Sequence, residues 1–156
     1  MIKTNVMRLL NQANIKYTTK EYEVDESDLS GIHVASQIGV PMEQVFKTLV
    51  AKGDKKGYFV FVIPVNTELN LKKAALIVED KKVELVHVKE LLGLTGYIRG
   101  GCSPIGMKKK YPTFIDETAI LFDTITISAG VRGCQLILNP EELGEYINGS
   151  FCDLTD

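Results

Sequence analysis

FKTLVAKGDKKGYFVFVIPV, residues 46–65, is the stretch on which the fold turns. Two runs rich in β-branched and aromatic residues, FKTLVAKG and GYFVFVIPV, are joined by the polar turn DKKG, and this pattern predicts a β-hairpin. Side chains alternate along a strand, so Phe46, Thr48 and Val50 share one face while Lys47, Leu49 and Ala51 share the other. Both faces are largely apolar, which predicts a central hairpin covered on two sides. Lys47 is the exception. An ammonium in such surroundings needs a partner, a pocket or a route to water. It either snorkels outward from the mouth of the strand or lines a cleft, and the residues alone leave both readings open.

Working outward from the hairpin, a first helix is expected from about Asn5 to Ala13, with Thr4 as N-cap and Val6, Leu9, Leu10 and Ala13 as its apolar face. Residues 17–24 read as a strand and a linking segment, DESDLSG as a loop, and IHVASQIG as a short helix ended by Gly39. Beyond the hairpin, NLKKAALIV is expected to be helical with Asn70 as N-cap, KKVELV a short strand, and HVKELLG a helix ended by Gly93. YPTFIDE, AILFDTITIS and CQLILNP read as strands, with AGVRG a tight turn between the last two. A final helix is expected from Pro140 to about Asn148. Strands outnumber helices, and several are joined by hairpins. The expected architecture is therefore α+β, a single domain over 1–156 with a mixed, mostly antiparallel sheet, curled or partly closed and flanked by helices.

Composition narrows the function classes. The chain has 156 residues, 45% apolar and 24% charged, and a formal net charge of −2. A protein that grips a long duplex alone is normally basic, because affinity comes from neutralising phosphates. Any nucleic-acid contact here is expected to be local or shared with a partner. Cysteines at 102, 134 and 152 and histidines at 33 and 87 lack metal-ligand spacing, so no metal is expected, and a reducing cytoplasm fits best. The longest apolar run, Tyr58 to Val65, is far shorter than the roughly 20 residues that span a bilayer, and the N-terminal stretch does not read as a signal peptide. No P-loop, dinucleotide fingerprint or paired-carboxylate motif is present, and no cofactor is expected.

RGGCSPIGMKKK, residues 99–110, is the second informative stretch. Paired glycines let a ligand approach the main chain closely, and Pro104 pushes Ser103 towards an extended conformation. Peptide N–H groups there can stabilise a developing oxyanion, although a tight turn with a Ser-Pro step accounts for the same residues. Cys102 invites a nucleophile reading, but no histidine lies nearby in sequence to draw off its proton, and a small apolar filler also fits. Lys108, Lys109 and Lys110 form either a solvated face or a basic rim suited to phosphates.

In combination, FKTLV at 46–50, the N-x-x-L-N-L-K-K-A-A segment at 66–75, TGYIRGGCSPIG at 95–106 and SAGVRG at 128–133 resemble the YbaK/EbsC family of bacterial Cys-tRNA(Pro) deacylases. That family is similar to the editing domain of bacterial prolyl-tRNA synthetase. The resemblance covers nearly the whole chain. It implies hydrolytic removal of a mischarged amino acid, typically cysteine, from the 3′ acceptor end of tRNA(Pro), beside prolyl-tRNA synthetase as partner and without cofactor or metal. Cysteine and proline are close in size, so a synthetase pocket separates them poorly and a second site corrects the error. Carried over by position, Lys47 would hold the terminal adenosine and the ester, while Gly100 and Gly101 would bring backbone amides to the substrate carbonyl. Ser128, Gly130 and Arg132 would line the other wall, with Phe46, Thr48, Ser103, Pro104 and Gly106 as further contacts. Tyr22 and Asn70 are placed by similarity of neighbourhood. The resemblance further implies a substrate-assisted route in which the cysteinyl thiol attacks its own ester. Members with alanine specificity use a positioned water. Two other readings stay open: a catalytically silent tRNA- or synthetase-binding module, and a cysteine hydrolase using Cys102.

Overall fold

The computed structural model describes residues 2–156. Its elements are α1 (Asn5–Gln12), β1 (Tyr17–Glu21), α2 (Gly31–Ile38), β2 (Phe46–Gly53), β3 (Tyr58–Pro64), α3 (Leu71–Val78), β4 (Val83–Leu85), α4 (Val88–Thr95), β5 (Thr113–Asp116), β6 (Ile125–Ser128), β7 (Cys134–Leu138), α5 (Pro140–Ile147) and β8 (Ser150–Cys152). The hairpin forms as the sequence predicts, with β2 and β3 antiparallel from Phe46↔Pro64 to Lys52↔Tyr58. It lies inside a five-stranded mixed sheet of order β4-β2-β3-β5-β8, beside a three-stranded antiparallel sheet of order β1-β7-β6. The two sheets touch through a parallel bridge between Val45 and Thr126 and do not close into a barrel.

Alternation places the two faces of the hairpin in two cores. Phe46, Val50, Val60 and Val62 pack with Val6 and Leu10 of α1 and with Ile125, Ile127, Leu136 and Leu138 of the small sheet. Ala51, Phe59, Phe61 and Ile63 pack on the opposite side with Ala74 and Val78 of α3 and with Leu154. Helix starts follow their caps. Thr4 Oγ1 accepts from Met7 N–H, Ser30 Oγ from His33 N–H, and Asn70 Oδ1 from the N–H groups of Lys72 and Lys73.

Four local expectations need correction. In α1 it is Met7, with Val6 and Leu10, that is buried, while Ala13 is the exposed C-cap. Helix α4 passes through Gly93 and ends at Gly96 (φ 86°). Leu91 and Leu94 pack on the core and the Thr95 hydroxyl donates to Leu91 C=O at 2.8 Å, which outweighs the cost of one glycine inside the helix. AILFDTITIS is not one strand. Asp116 Oδ2 accepts from Thr118 N–H and Oγ1–H and caps a 3-10 turn over Glu117–Leu121, so pairing resumes only at Ile125. Finally, β8, absent from the expected strands, adds parallel to β5.

Candidate functional site

One edge of β2 is left open, and the site lies there. β4 pairs only with Ala51–Gly53, and the bridge to the small sheet is at Val45, so residues 46–50 run between two partners without a strand alongside. Val65 N–H donates to Val45 C=O on the β3 side, whereas Val86 N–H donates to Val50 C=O on the outer side. By alternation the backbone N–H and C=O of Thr48 also face outward, into the gap. That gap is a cavity of about 580 Å³. Its floor is Phe46, Lys47, Thr48, Leu49 and Val50. Ser128 and Gln135 of the small sheet form one wall, and Arg99, Gly100 and Cys102 of the glycine loop another. The start of α2, the 65–68 turn after β3, and residues 85–91 around the start of α4 complete it.

Lys47 is half-buried and is among the residues that line this cavity. Burial holds its ammonium below the ordinary lysine value, and the Glu68 carboxylate at the rim pulls weakly the other way. Beside it, Thr48 Oγ1 is buried and has no hydrogen-bond partner among the described residues. A buried hydroxyl beside a cavity without a partner is a polar group left short of a hydrogen bond.

The glycine loop has a defined geometry. Gly101 N–H donates to Ile98 C=O at 2.9 Å, closing a turn in which Gly100 takes φ 86°. A positive φ at that position is the type II arrangement, which glycine adopts without strain. The Gly101 amide is occupied by this turn, and of the two glycines it is Gly100 that lines the cavity. Gly101 matters for another reason. A Cβ there would stand 3.1 Å from the Val131 backbone, so the 98–101 turn and the 128–133 turn pack main chain to main chain. Arg132 ties the two together, its Nε donating to Arg99 C=O at 2.8 Å.

Of the sequence-derived site residues, Phe46, Lys47, Thr48, Gly100 and Ser128 come together in the cavity. The others stand behind it or elsewhere. Ser103 is fully buried with Oγ accepting from Ile105 N–H, and Pro104 is buried beside it. A Cβ at Gly106 would meet Leu9 and Tyr97, and one at Gly130 (φ 96°) would meet Val6 and Tyr97. These positions shape the loops that carry Gly100 and Ser128. Tyr22 lies outside the cavity, its N–H donating to Gly133 C=O. Asn70 caps α3 and its Nδ2 donates to Asp156 at 2.5 Å. Lys108, Lys109 and Lys110 are exposed and do not line the cavity. Gln135, Arg99, His87 and Glu68 do line it and escaped the sequence reading. Gln135 had one usable signal, a polar residue within the apolar run CQLIL.

Cys102 lines the cavity, but burial pushes its thiol up to about 12, only partly offset by the Thr95 hydroxyl. It stays protonated at neutral pH and is a poor nucleophile. His33 is engaged elsewhere, with Nε2 at 3.3 Å from Asp25 Oδ2. Among the described residues no group of three His, Cys, Asp or Glu side chains is arranged to hold a metal, and no helix is long and apolar enough to cross a membrane.

Known proteins resemble this chain in sequence and in fold. Residues 31–146 match the family model of the aminoacyl-tRNA editing domain. A protein of Enterococcus faecalis named EbsC, a candidate Cys-tRNA(Pro)/Cys-tRNA(Cys) deacylase, is 48% identical over 153 residues, covering 98% of this chain and 93% of that one. The proline–tRNA ligase of Fervidobacterium nodosum is 29% identical over 110 residues, covering 63% of this chain and 19% of the ligase. Among solved structures, a candidate trans-editing enzyme for prolyl-tRNA synthetase superposes with a TM-score of 0.82 at 23% identity, covering 100% of this chain and 99% of that one, which shows the shared fold. From the match over most of its length and the near full-length EbsC relative, the chain belongs to the aminoacyl-tRNA editing domain family.

Proposed function

We propose that this protein is a trans-editing deacylase that removes mischarged cysteine from tRNA(Pro) in the cytoplasm, acting beside prolyl-tRNA synthetase. The observation that carries this reading is Lys47, a half-buried cation in the floor of the cavity of a family member whose 48% identical relative bears a Cys-tRNA deacylase name. The 3′-terminal adenosine lies at the exposed mouth and the aminoacyl ester reaches inward over β2. Lys47 holds the ester and the ribose end, the Gly100 N–H faces the developing oxyanion, and the Thr48 hydroxyl meets a polar atom of the substrate. In the chemical step the substrate Sγ attacks its own carbonyl carbon. The carbon–oxygen bond to the ribose breaks, the thiol proton passes to the departing ribose oxygen, and a four-membered thiolactone leaves to hydrolyse in water. The enzyme supplies position and electrostatic stabilisation, and no enzyme nucleophile takes part. The protonated state of Cys102 supports that route over a cysteine hydrolase.

The test is deacylation of Cys-, Ala- and Pro-tRNA(Pro) by the purified protein, with S-methylcysteinyl-tRNA(Pro) as a blocked-thiol control. Turnover of the Cys ester, with the Pro and S-methyl esters spared, is the expected result. Preferred turnover of the Ala ester would make it a water-using alanine deacylase. Absence of turnover on all of them, with tight binding of tRNA or synthetase, would make it a binding module.

A further inference from the structure

The polar groups of the cavity differ in depth. Glu68, Arg99 and His87 are exposed at the mouth, whereas Ser128 (8% exposed) and Gln135 (6%) are nine-tenths buried at the deep end, near Val45, Phe46 and Val50. Ser128 and Gln135 are opposite each other in the β6–β7 register, so both side chains stand on the same face of the small sheet. Ser128 Oγ already accepts from Gly130 N–H at 3.1 Å. Gln135 is different. Its backbone is held by the pairing with Lys20 and Ser128 and by a long Cys134 Sγ contact to its carbonyl, while its side chain lines the cavity and its amide is not among the polar atoms shut off from solvent without a partner. An amide that opens on a cavity in this way is free to exchange water for a hydrogen bond to a ligand.

We propose that Gln135 is a specificity-determining residue that accepts a hydrogen bond from the α-amino group of the aminoacyl ester. This inference rests on the deacylase reading and adds to it the recognition of the substrate amine. The deep end combines an apolar lining with two polar groups, which suits a small amino acid bearing an amine and a short side chain. The amine does not belong at the floor, where Lys47 already places a positive charge. Glu68, the carboxylate of the lining, sits at the exposed mouth where solvent screens it. A neutral amide carbonyl accepts from the amine in either protonation state. A site built this way rejects an analogue lacking the group, because its own buried polar atom is then left unpaired.

The experiment compares tRNA(Pro) esterified with cysteine and with 3-mercaptopropionate, which keeps the thiol and ester and lacks only the amine. Each kcat/KM is divided by the uncatalysed rate of its ester. The wild type is expected to favour the cysteinyl ester by at least about tenfold. Gln135→Leu should lose that preference, falling about tenfold on the cysteinyl ester while staying within about threefold on the desamino ester. Gln135→Glu, which keeps an acceptor, should retain it. An undiminished preference in a folded Gln135→Leu overturns the assignment. If Gln135→Leu fails to fold by circular dichroism, Gln135→Met takes its place, and the assignment falls if Met and Glu variants show the same preference. Wild type that cleaves both esters equally overturns the role of Gln135 and leaves the deacylase reading standing. Wild type that cleaves neither overturns both.

Discussion

Strands β2 and β3 are neighbours in one sheet and differ in what lies along their second edge. β3 is paired on both sides, with β2 and β5, and Val60, Phe61, Val62 and Ile63 are all 0% exposed. β2 is paired along its whole length on one side only, and its residues Lys47, Thr48 and Leu49 are half-buried at the cavity. Both strands have alternating apolar faces, and both bury them in the same two cores. The difference is one missing strand over five residues. There the protein has backbone groups, an orphaned buried hydroxyl and a lysine beside a cavity instead of a neighbouring strand. The scaffold is made by pairing, and the site by withholding it.

That contrast breaks most visibly under substitution. Phe61→Ala, on the fully paired strand, removes a ring stacked on Phe114 at 5.6 Å between centroids and should cost ~3–5 kcal/mol of stability, read from denaturant unfolding. Its catalytic constants should change only in proportion to the folded fraction. Lys47→Ala, on the open strand, should do the reverse. Its melting should stay near wild type while kcat/KM on Cys-tRNA(Pro) falls about 10²–10³-fold. Near-wild-type turnover by a soluble Lys47→Ala would remove Lys47 from the mechanism.

The depressed lysine pKa sharpens the same comparison. Burial lowers Lys47 from 10.5, so the cation, and with it the activity, should be lost on the alkaline side before an ordinary lysine titrates. Lys47→Arg should abolish that alkaline limb, since a guanidinium stays charged. Stability runs in the opposite sense. The unfolded chain holds this proton more tightly than the folded one, so Lys47 contributes stability as pH rises through its folded pKa. A parallel alkaline loss of activity in wild type and Lys47→Arg would assign the limb to another group.

Thr48→Val is a smaller step. Its hydroxyl has no partner in the free protein, so the apolar isostere should leave stability unchanged or raised, while kcat/KM falls about tenfold if Oγ1 meets the substrate. Equal activity in the two proteins would return the hydroxyl to a packing role. Least of all should follow from Cys102→Ala, expected to keep activity within about threefold because the buried thiol is protonated. Complete inactivation of a folded variant, or an acyl adduct trapped on Cys102, would reinstate the cysteine hydrolase.

Legibility in the sequence followed the range of the forces involved. The hairpin and the starts of α1, α3 and α5 were readable because alternation and caps act over a few residues. AILFDTITIS was misread because Asp116, a carboxylate outside the run, turns the chain before the strand begins. β8 was invisible because three residues acquire strand geometry only from the parallel edge of β5. Within the site, Lys47 stood out as a charge in an apolar pattern. Gln135 did not, since its significance depends on a cavity formed by segments far apart in the chain. The occupied Gly101 amide was equally beyond reach, because a Gly-Gly pair does not say which of its N–H groups the turn consumes.

The open edge of β2 has a colloidal consequence. An unpaired strand flanked by valine, leucine and phenylalanine is the template on which another chain adds and aggregation begins. Here the α2 start, the α4 start and the glycine loop roof the edge, and Lys47 places a charge in the middle of the exposed row. A charge at that position is the kind of device by which strand edges are kept from pairing with a second copy. Apolar replacements at position 47 should lower the concentration at which the protein stays dispersed, even while a dilute sample melts as the wild type does.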